Sequence, residues 1–509
     1  MSITEPWATR PRDRPTYLLS RWLFLRLLGV IYLIAFVSLV GQMRGLVGEH
    51  GILPARAFLD GAHALYGGRA YRLFPTLCWL GAGDGTLEAL CWAGAALALL
   101  LVAGVAQAPT LALLWVCYLS LSVVGQTFLW FQWDALLLET GLLAILYAPT
   151  QLLPSLARER APSRAMRWLV WWLLFRLMFL SGITKLASGD PTWRNLTALD
   201  YHFWTQPLPT WTAWYAQWLP EWTHRGMLLT VLVIELVVPW LILVPERLAR
   251  LRLAAGALLV LGQLGIAGTG NYGFFNALAI VLCVPLLDDA TLRRVLPLTL
   301  EAGDAEPRWK QLTIRVVAPA IAVLSTLAFA REIAQTLPGA RGGEGGRAWL
   351  DNPLLAAVAP FRSINGYGLF RVMTTERPEI VIEGSSDSLR WREYRFRWKP
   401  GDVTRRPRFV APHQPRLDWQ MWFAALDPEG ARQWLGSLLG HLLRGTPEVL
   451  SLLGENPFPD GPPKYVRLAY YRYRFATPAE RARTGAWWAR ELAGYLTGPL
   501  SLTGPRPTR

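Results

Sequence analysis

Residues 167–186 read RWLVWWLLFRLMFLSGITKL, and this stretch decides the fold. A helix needs about 20 predominantly apolar residues to cross a bilayer, which is the length of this run. It carries one arginine near its middle, Arg176, and one lysine at its end, Lys185. An unpaired charge at mid-membrane depth costs roughly 3 kcal/mol or more. Arg176 therefore requires a carboxylate from a neighbouring span.

Eight further apolar runs surround it, at about 22–42, 86–106, 109–125, 129–148, 226–245, 252–269, 272–287 and 312–332. Those at 109–125 and 272–287 are short for a full crossing, so the count of about nine has a margin of one or two. Composition agrees with these runs. Of 509 residues 52% are apolar, 17% are charged and 26 are Trp, with a mean hydropathy of +0.25. A soluble domain carries about 25% charged residues, so a soluble enzyme, a disordered chain and a disulfide scaffold are excluded. The first run follows a Pro/Arg-rich head without a small-residue cleavage site and reads as a retained helix.

The net charge of +15 invites a nucleic-acid reading, but much of it orients the helices. Arg10, Arg12, Arg14 and Arg21 precede the first span. The loops expected on the same side carry Arg158, Arg160, Arg164, Arg247, Arg250, Arg293, Arg294, Arg308 and Lys310. The opposite short loops, 126–128 and 270–271, carry no Arg or Lys. By the positive-inside rule the N-terminus is cytoplasmic. An odd span count then puts the C-terminal part outside, and no nucleic-acid partner is expected.

Three charges fall about ten residues into their helices: Glu139 in the fourth span, Arg176 in the fifth and Glu235 in the sixth. The fourth and fifth spans are antiparallel neighbours, so Glu139 and Arg176 can meet, with Glu235 as the second expected partner. Asp134 stands about 140° around the helix from Glu139 and is expected near the outer interface. A structural clasp and a proton relay or substrate pocket are both open for this network.

The division expected is a helical transmembrane domain over 1–337, with outer loops 43–85 and 187–225, and an extracytoplasmic α+β domain over 338–509. PGARGGEGGR, 338–347, reads as a flexible linker. Beyond it, Glu379–Glu383 alternates like a strand. WREYRFRW (391–398) and KYVRLAYYRYRF (464–475) alternate aromatic and charged residues, predicting an antiparallel sheet with one face solvated. Segments 417–426 and 431–443 read as helices. Ser385–Ser388 is a turn cluster, and Asn271 and Asn276 flank another.

All six histidines (His50, His63, His202, His224, His413 and His441) lie in the outer regions, none at metal-ligand spacing. Three of the four cysteines, Cys78, Cys91, Cys117 and Cys283, lie in apolar runs, and no CxxC occurs. No metal site is expected, and no cofactor is named. There is no hydrolase elbow, P-loop or zinc motif, so the chain does not read as a hydrolase of those kinds. Trp193, Trp204, Trp211, Trp214, Trp218 and Trp222 crowd one outer loop. They read as an interfacial aromatic belt or as a greasy surface for a lipid or a partially folded client.

Seven segments together resemble the lipase maturation factor family: GLVGEHGILPA (45–55), GQTFLWFQWDALLLETG (125–141), SGITKLASGDPTW (181–193), GNYGFFN (270–276), GYGLFRVMTTERPEIVIEGSSD (366–387), RRPRFVAPHQPRLDWQMWFAAL (405–426) and NPFPDGPPKYVR (456–467). The resemblance implies a chaperone-like membrane factor for the maturation of secreted lipases. Animal members work in the endoplasmic reticulum. The Arg-over-Lys, Ala-rich composition resembles that of a GC-rich bacterium, implying an inner-membrane protein with a periplasmic or extracellular C-terminal domain. The membrane part is also similar to the transmembrane domain of the vitamin K-dependent γ-glutamyl carboxylase, whose Gly-x-x-Lys-Leu pattern is matched by Gly182, Lys185 and Leu186, with Trp193 following.

Lys185 is the sharpest candidate for chemistry. A lysine leaving the bilayer can lose its proton near neutral pH and act as a base, which arginine cannot. In a chain with only four lysines, a lysine rather than arginine here points to a wanted amine. A snorkelling interface cation is the plainer reading. Trp193, His202, His50 and Glu49 are expected to complete an outer-face pocket. Two functions stay open: a membrane-anchored maturation factor holding secreted clients, and a membrane enzyme using Lys185 as base on a lipid, quinone or protein. A transporter would want internal repeats, and none is evident.

Overall fold

The computed structural model describes residues 15–153, 158–298, 300–336 and 352–502. The linker at 338–347, the 337/338 boundary and Arg10, Arg12 and Arg14 lie outside the described residues.

Among the described residues, seven helices are long and apolar enough to cross a membrane: α1 (Leu18–Val40), α2 (Asp84–Ala103), α3 (Gln107–Val124), α5 (Arg164–Ala187), α6 (Glu221–Leu236, carried on by a 3-10 turn to Ile242), α7 (Ala249–Thr269) and α9 (Arg308–Thr336). The other two runs form the shorter α4 (Gln132–Tyr147) and α8 (Phe275–Cys283). The short members are thus the fourth and eighth runs, not the third and eighth. A 3-10 turn at Gln126–Leu129 and the non-helical Trp130 and Phe131 delay the start of the fourth run to Gln132. Its end comes just before Pro149, which disfavours helix in the residue preceding it.

One end of the bundle gathers basic and acidic groups. Arg21 pairs with Glu159 at 3.0 Å, both buried. Asp289 accepts from the backbone N–H groups of Leu18 and Leu19 at 3.0 and 2.9 Å, satisfying donors at the start of α1. At the other end sits the C-terminal region.

That region holds a sheet of β1 (Arg377–Ser385), β2 (Arg392–Glu393), β3 (Tyr465–Phe475) and β4 (Trp488–Tyr495), antiparallel in the order β2-β1-β3-β4. Two helices accompany it, α10 (Arg416–Leu426) and α11 (Arg432–Arg444). Of WREYRFRW only Arg392 and Glu393 join the sheet. Farther along, the N–H groups of Trp398 and Lys399 donate instead to Asp418 of α10, each at 2.8 Å. The alternation holds at the end of β3, where Arg472 and Arg474 are exposed and Tyr473 and Phe475 buried, whereas β1, read as half-buried, is buried along its whole length. Its charges pair internally: Glu379 meets Arg377 at 2.9 Å and Lys399 at 2.9 Å. Arg377 also donates to the carbonyls of Trp204 and Pro207 at 2.7 and 2.8 Å, fastening the segment 187–225 to the sheet.

One apolar core runs without a break from the bundle into β1, α10 and α11. A second core joins the Trp-rich loop to the sheet, where Trp193 and Trp214 pack with Tyr473, Phe475, Trp487 and Trp488. The aromatic belt is therefore only partial. Trp218 and Trp222 stay exposed, while the others are drawn inward because a second aromatic layer faces them.

Candidate functional site

Lys185 lies in the last turn of α5 and is buried. Glu235 of α6 brings both carboxylate oxygens to its amine, at 2.6 and 2.5 Å. The helices approach this closely because residue 182 is glycine. A Cβ there would stand 2.8 Å from Leu236 Cγ and 2.9 Å from Glu235 Cβ. Glu235 was expected to serve Arg176. It meets Lys185 instead, nine residues and about 13 Å further along α5.

Trp193 stands with its ring centroid 5.4 Å from the Lys185 amine, a cation–π distance. His202, on the short helix Ala198–Thr205, lies 3.3 Å from the Tyr272 hydroxyl. Burial, helped by the Lys185 charge, pushes its pKa down to about 4. Lys185, Trp193, His202 and Glu235 share a cavity of about 690 Å³ with apolar residues of α6 and α7. His50 and Glu49 do not join it. They are exposed on the loop after the short helix Met43–Val47, where the Glu49 N–H donates to Asp84. The loop 43–85 is thereby held to the start of α2, away from Lys185.

The expected Glu139–Arg176 pair is present and buried. Its other contacts come from the C-terminal region. Glu139 accepts from the Asn365 N–H at 3.1 Å, the Asn365 side-chain amide at 3.0 Å and the Tyr367 hydroxyl at 2.8 Å. Arg176 donates to the Asn365 carbonyl at 2.9 Å. A non-helical strap, residues 362–373, is thus plugged into the bundle. Such backbone is tolerated at membrane depth only where protein buries it. Past the plug, the Met373 N–H donates to Asp190 at 2.6 Å.

Asp134 lies in the first turn of α4. It is buried and gripped by Arg416 of α10 at 2.6 and 2.8 Å, with the Tyr118 hydroxyl donating at 2.5 Å. Sequence reading missed Arg416, Asn365 and Tyr367, since their partners lie between 189 and 282 positions away. Asn271, read as turn chemistry, is a further tie. Its amide donates to the Leu208 and Arg408 carbonyls at 3.0 and 2.8 Å, and its oxygen accepts from Val410 and Ala411 at 2.7 and 3.0 Å.

A second cavity, of about 330 Å³, opens where the strap, α10 and the start of α4 meet. Trp130, Trp133, Tyr272, Trp419, Trp422 and Phe423 line it as an aromatic cup. It shares His202 and Phe370 with the Lys185 cavity. Among the described residues no three His, Cys, Asp or Glu side chains gather to hold a metal ion.

The family model described as the lipase maturation factor transmembrane domain matches residues 19–294, and the lipase maturation factor C-terminal domain matches 363–497. The chain belongs to the lipase maturation factor family. It is similar to lipase maturation factor 2 of Homo sapiens, 38% identical over 96% of this chain and 83% of that protein. It is similar to lipase maturation factor 1 of Bos taurus, 36% identical over 96% and 90%, and to lipase maturation factor 1 of Homo sapiens, 33% identical over 97% and 89%. No solved structure matches. With the apolar helices, membership makes this an integral membrane protein. The carboxylase-type reading gains no support from these comparisons.

Several of the segments that carry the lipase maturation factor resemblance converge on one place. GQTFLWFQWDALLLETG supplies Trp130, Asp134 and Glu139, and GNYGFFN supplies Asn271 and Tyr272. RRPRFVAPHQPRLDWQMWFAAL supplies Arg416, Trp419 and Trp422. They build the clasp between bundle and C-terminal region and the cup beside it.

Proposed function

We propose that this chain is a membrane-embedded maturation factor for secreted lipases, acting as a holdase for clients whose apolar side chains are still exposed. The observation that carries the reading is the aromatic cup, whose rim residues Trp130 and Phe423 are 71% and 42% exposed. Aromatic side chains offer a large apolar contact area at low conformational cost. Buried ion pairs hold both walls of the cup, so it is formed before a client arrives. Helices α1 to α9 keep it at the membrane, where clients emerge.

The N-terminus is cytoplasmic in this proposal, and the C-terminal region faces outward. The arginine bias of one set of loops supports that orientation. The Arg- and Ala-rich composition supports a bacterial inner membrane, with the cup on the periplasmic side. Its partners are then lipases and membrane lipids, with no nucleic acid.

The test is a strain from which the coding sequence is deleted, with extracellular lipase activity and lipase protein measured together. Activity per lipase molecule falls in the deletion and returns with the wild-type chain. It does not return with Trp130→Ala/Phe423→Ala, although that variant accumulates normally. Unchanged lipase activity in the deletion refutes the reading.

A further inference from the structure

The Lys185 cavity is open on its outer side. Its wall is made by α6 and α7, and Trp222, Leu258 and Leu261 on that wall are 76%, 41% and 63% exposed. Leu229, Val233 and Leu264 beside them are exposed as well. This apolar surface belongs to two helices of membrane-spanning length, so the surrounding medium is lipid and the mouth is continuous with the bilayer-facing surface. The inner wall is different. It carries Lys185, Glu235 and His202, held there by the packing described above. At about 690 Å³ the cavity has the size of a small-molecule site, and a few convergent polar groups in an apolar hollow are the usual form of one.

We propose that this cavity binds one membrane lipid whose polar head carries no net charge, its chain lying between α6 and α7 and its head against Lys185, Glu235 and His202. Charge complementarity selects the head. The Lys185 amine is already matched by Glu235 at 2.5 Å, so an anionic head would leave one negative charge uncompensated in an apolar site. A zwitterionic phospholipid and an uncharged glyceride share the required chemistry. The site does not depend on the client reading, because its test reads lipid contact and not lipase output.

Two glycines make the test clean. Gly226 and Gly265 line the cavity, and a Cβ built at either meets no atom within 4 Å. A side chain can enter there without clashing with its surroundings. The purified full-length chain is placed in phosphatidylcholine nanodiscs with trace photoactivatable phosphatidylethanolamine, diacylglycerol or phosphatidylglycerol, and adducts are mapped by mass spectrometry. Adducts are expected on the half-buried Val231, Ile234 and Ile266 of the cavity from one or both uncharged-head probes, and about tenfold fewer from phosphatidylglycerol, equivalent to roughly 1.4 kcal/mol. Which of the two labels the cavity identifies the source of the head. Gly265→Phe removes these adducts and leaves those on the outward-facing Leu113 and Trp92. Gly226→Phe is the second filler should the first fail to fold. Labelling confined to the outward-facing residues, cavity adducts that survive both fillers, or equal labelling by the anionic probe overturns the proposal.

Discussion

Arg416 of α10 holds both carboxylate oxygens of Asp134 of α4, at 2.6 and 2.8 Å, with both side chains essentially out of contact with solvent. The pair ties the C-terminal region to the bundle across 282 positions of sequence. A buried ion pair adds little over apolar packing, but breaking one leaves an uncompensated charge. Arg416→Met should cost about 3–5 kcal/mol of stability. Asp134→Leu/Arg416→Met should recover most of that loss. Thermal unfolding in detergent closes the double-mutant cycle, and additive losses would show that the two residues do not act as a pair.

The strap depends on Glu139 in the same way. Glu139→Ala removes the acceptor for Asn365 and Tyr367 and leaves Arg176 without its carboxylate. Limited proteolysis should then cut within 362–373 at protease concentrations that spare the wild type. Glu139→Gln, which keeps an acceptor, should fall between the two. A strap equally protected in all three proteins would contradict the plug.

Much of this was legible in the sequence, and the rest was not for physical reasons. Apolar runs mark the helices because hydrocarbon demands length and composition. The Glu139–Arg176 pair follows from equal depth on adjacent antiparallel helices. Strands β1 and β3 follow from alternation. The reading failed where tertiary contacts overrode local pattern. Glu235 was assigned to Arg176 by counting residues, but Gly182 lets α6 pack beside Lys185 instead. Glu379 was read on a half-buried strand by its alternation, yet Arg377 and Lys399 enclose it and the whole of β1 is buried. The burial of Asp134 was not legible because its partner, Arg416, belongs to a region with no periodic relation to α4.

Gly182 gives a test of the Lys185 site that leaves its charges in place. Gly182→Val pushes α6 away from α5 and separates Glu235 from Lys185. It should destabilise by about 1–3 kcal/mol, as overpacking does. Lys185→Met should destabilise too, and combining them should cost less than the sum, because both act through one ion pair. Strict additivity would separate the glycine from the pair.

His202 predicts a pH dependence. Its pKa is pushed down from 6.5 to about 4 in the folded chain, so the unfolded chain takes up the proton more readily. Its contribution to stability is complete above pH 6.5 and is lost as the pH falls toward about 4, with no further loss below. The thermal midpoint of the wild type should fall across that window more steeply than that of His202→Gln. Parallel curves would show that His202 does not titrate between the two states.

The aromatic cup is expected to receive unfinished lipase. The most direct measurement places a photoreactive phenylalanine analogue at position 423 on the cup rim, in cells secreting a lipase, with one at the exposed position Leu80 of the outer loop 43–85 as control. Light should join newly made, still inactive lipase to position 423 and not to position 80, and the adduct should vanish as the lipase becomes active. Equal capture at both positions, or no lipase at position 423 while lipase activity still depends on the chain, would contradict the account.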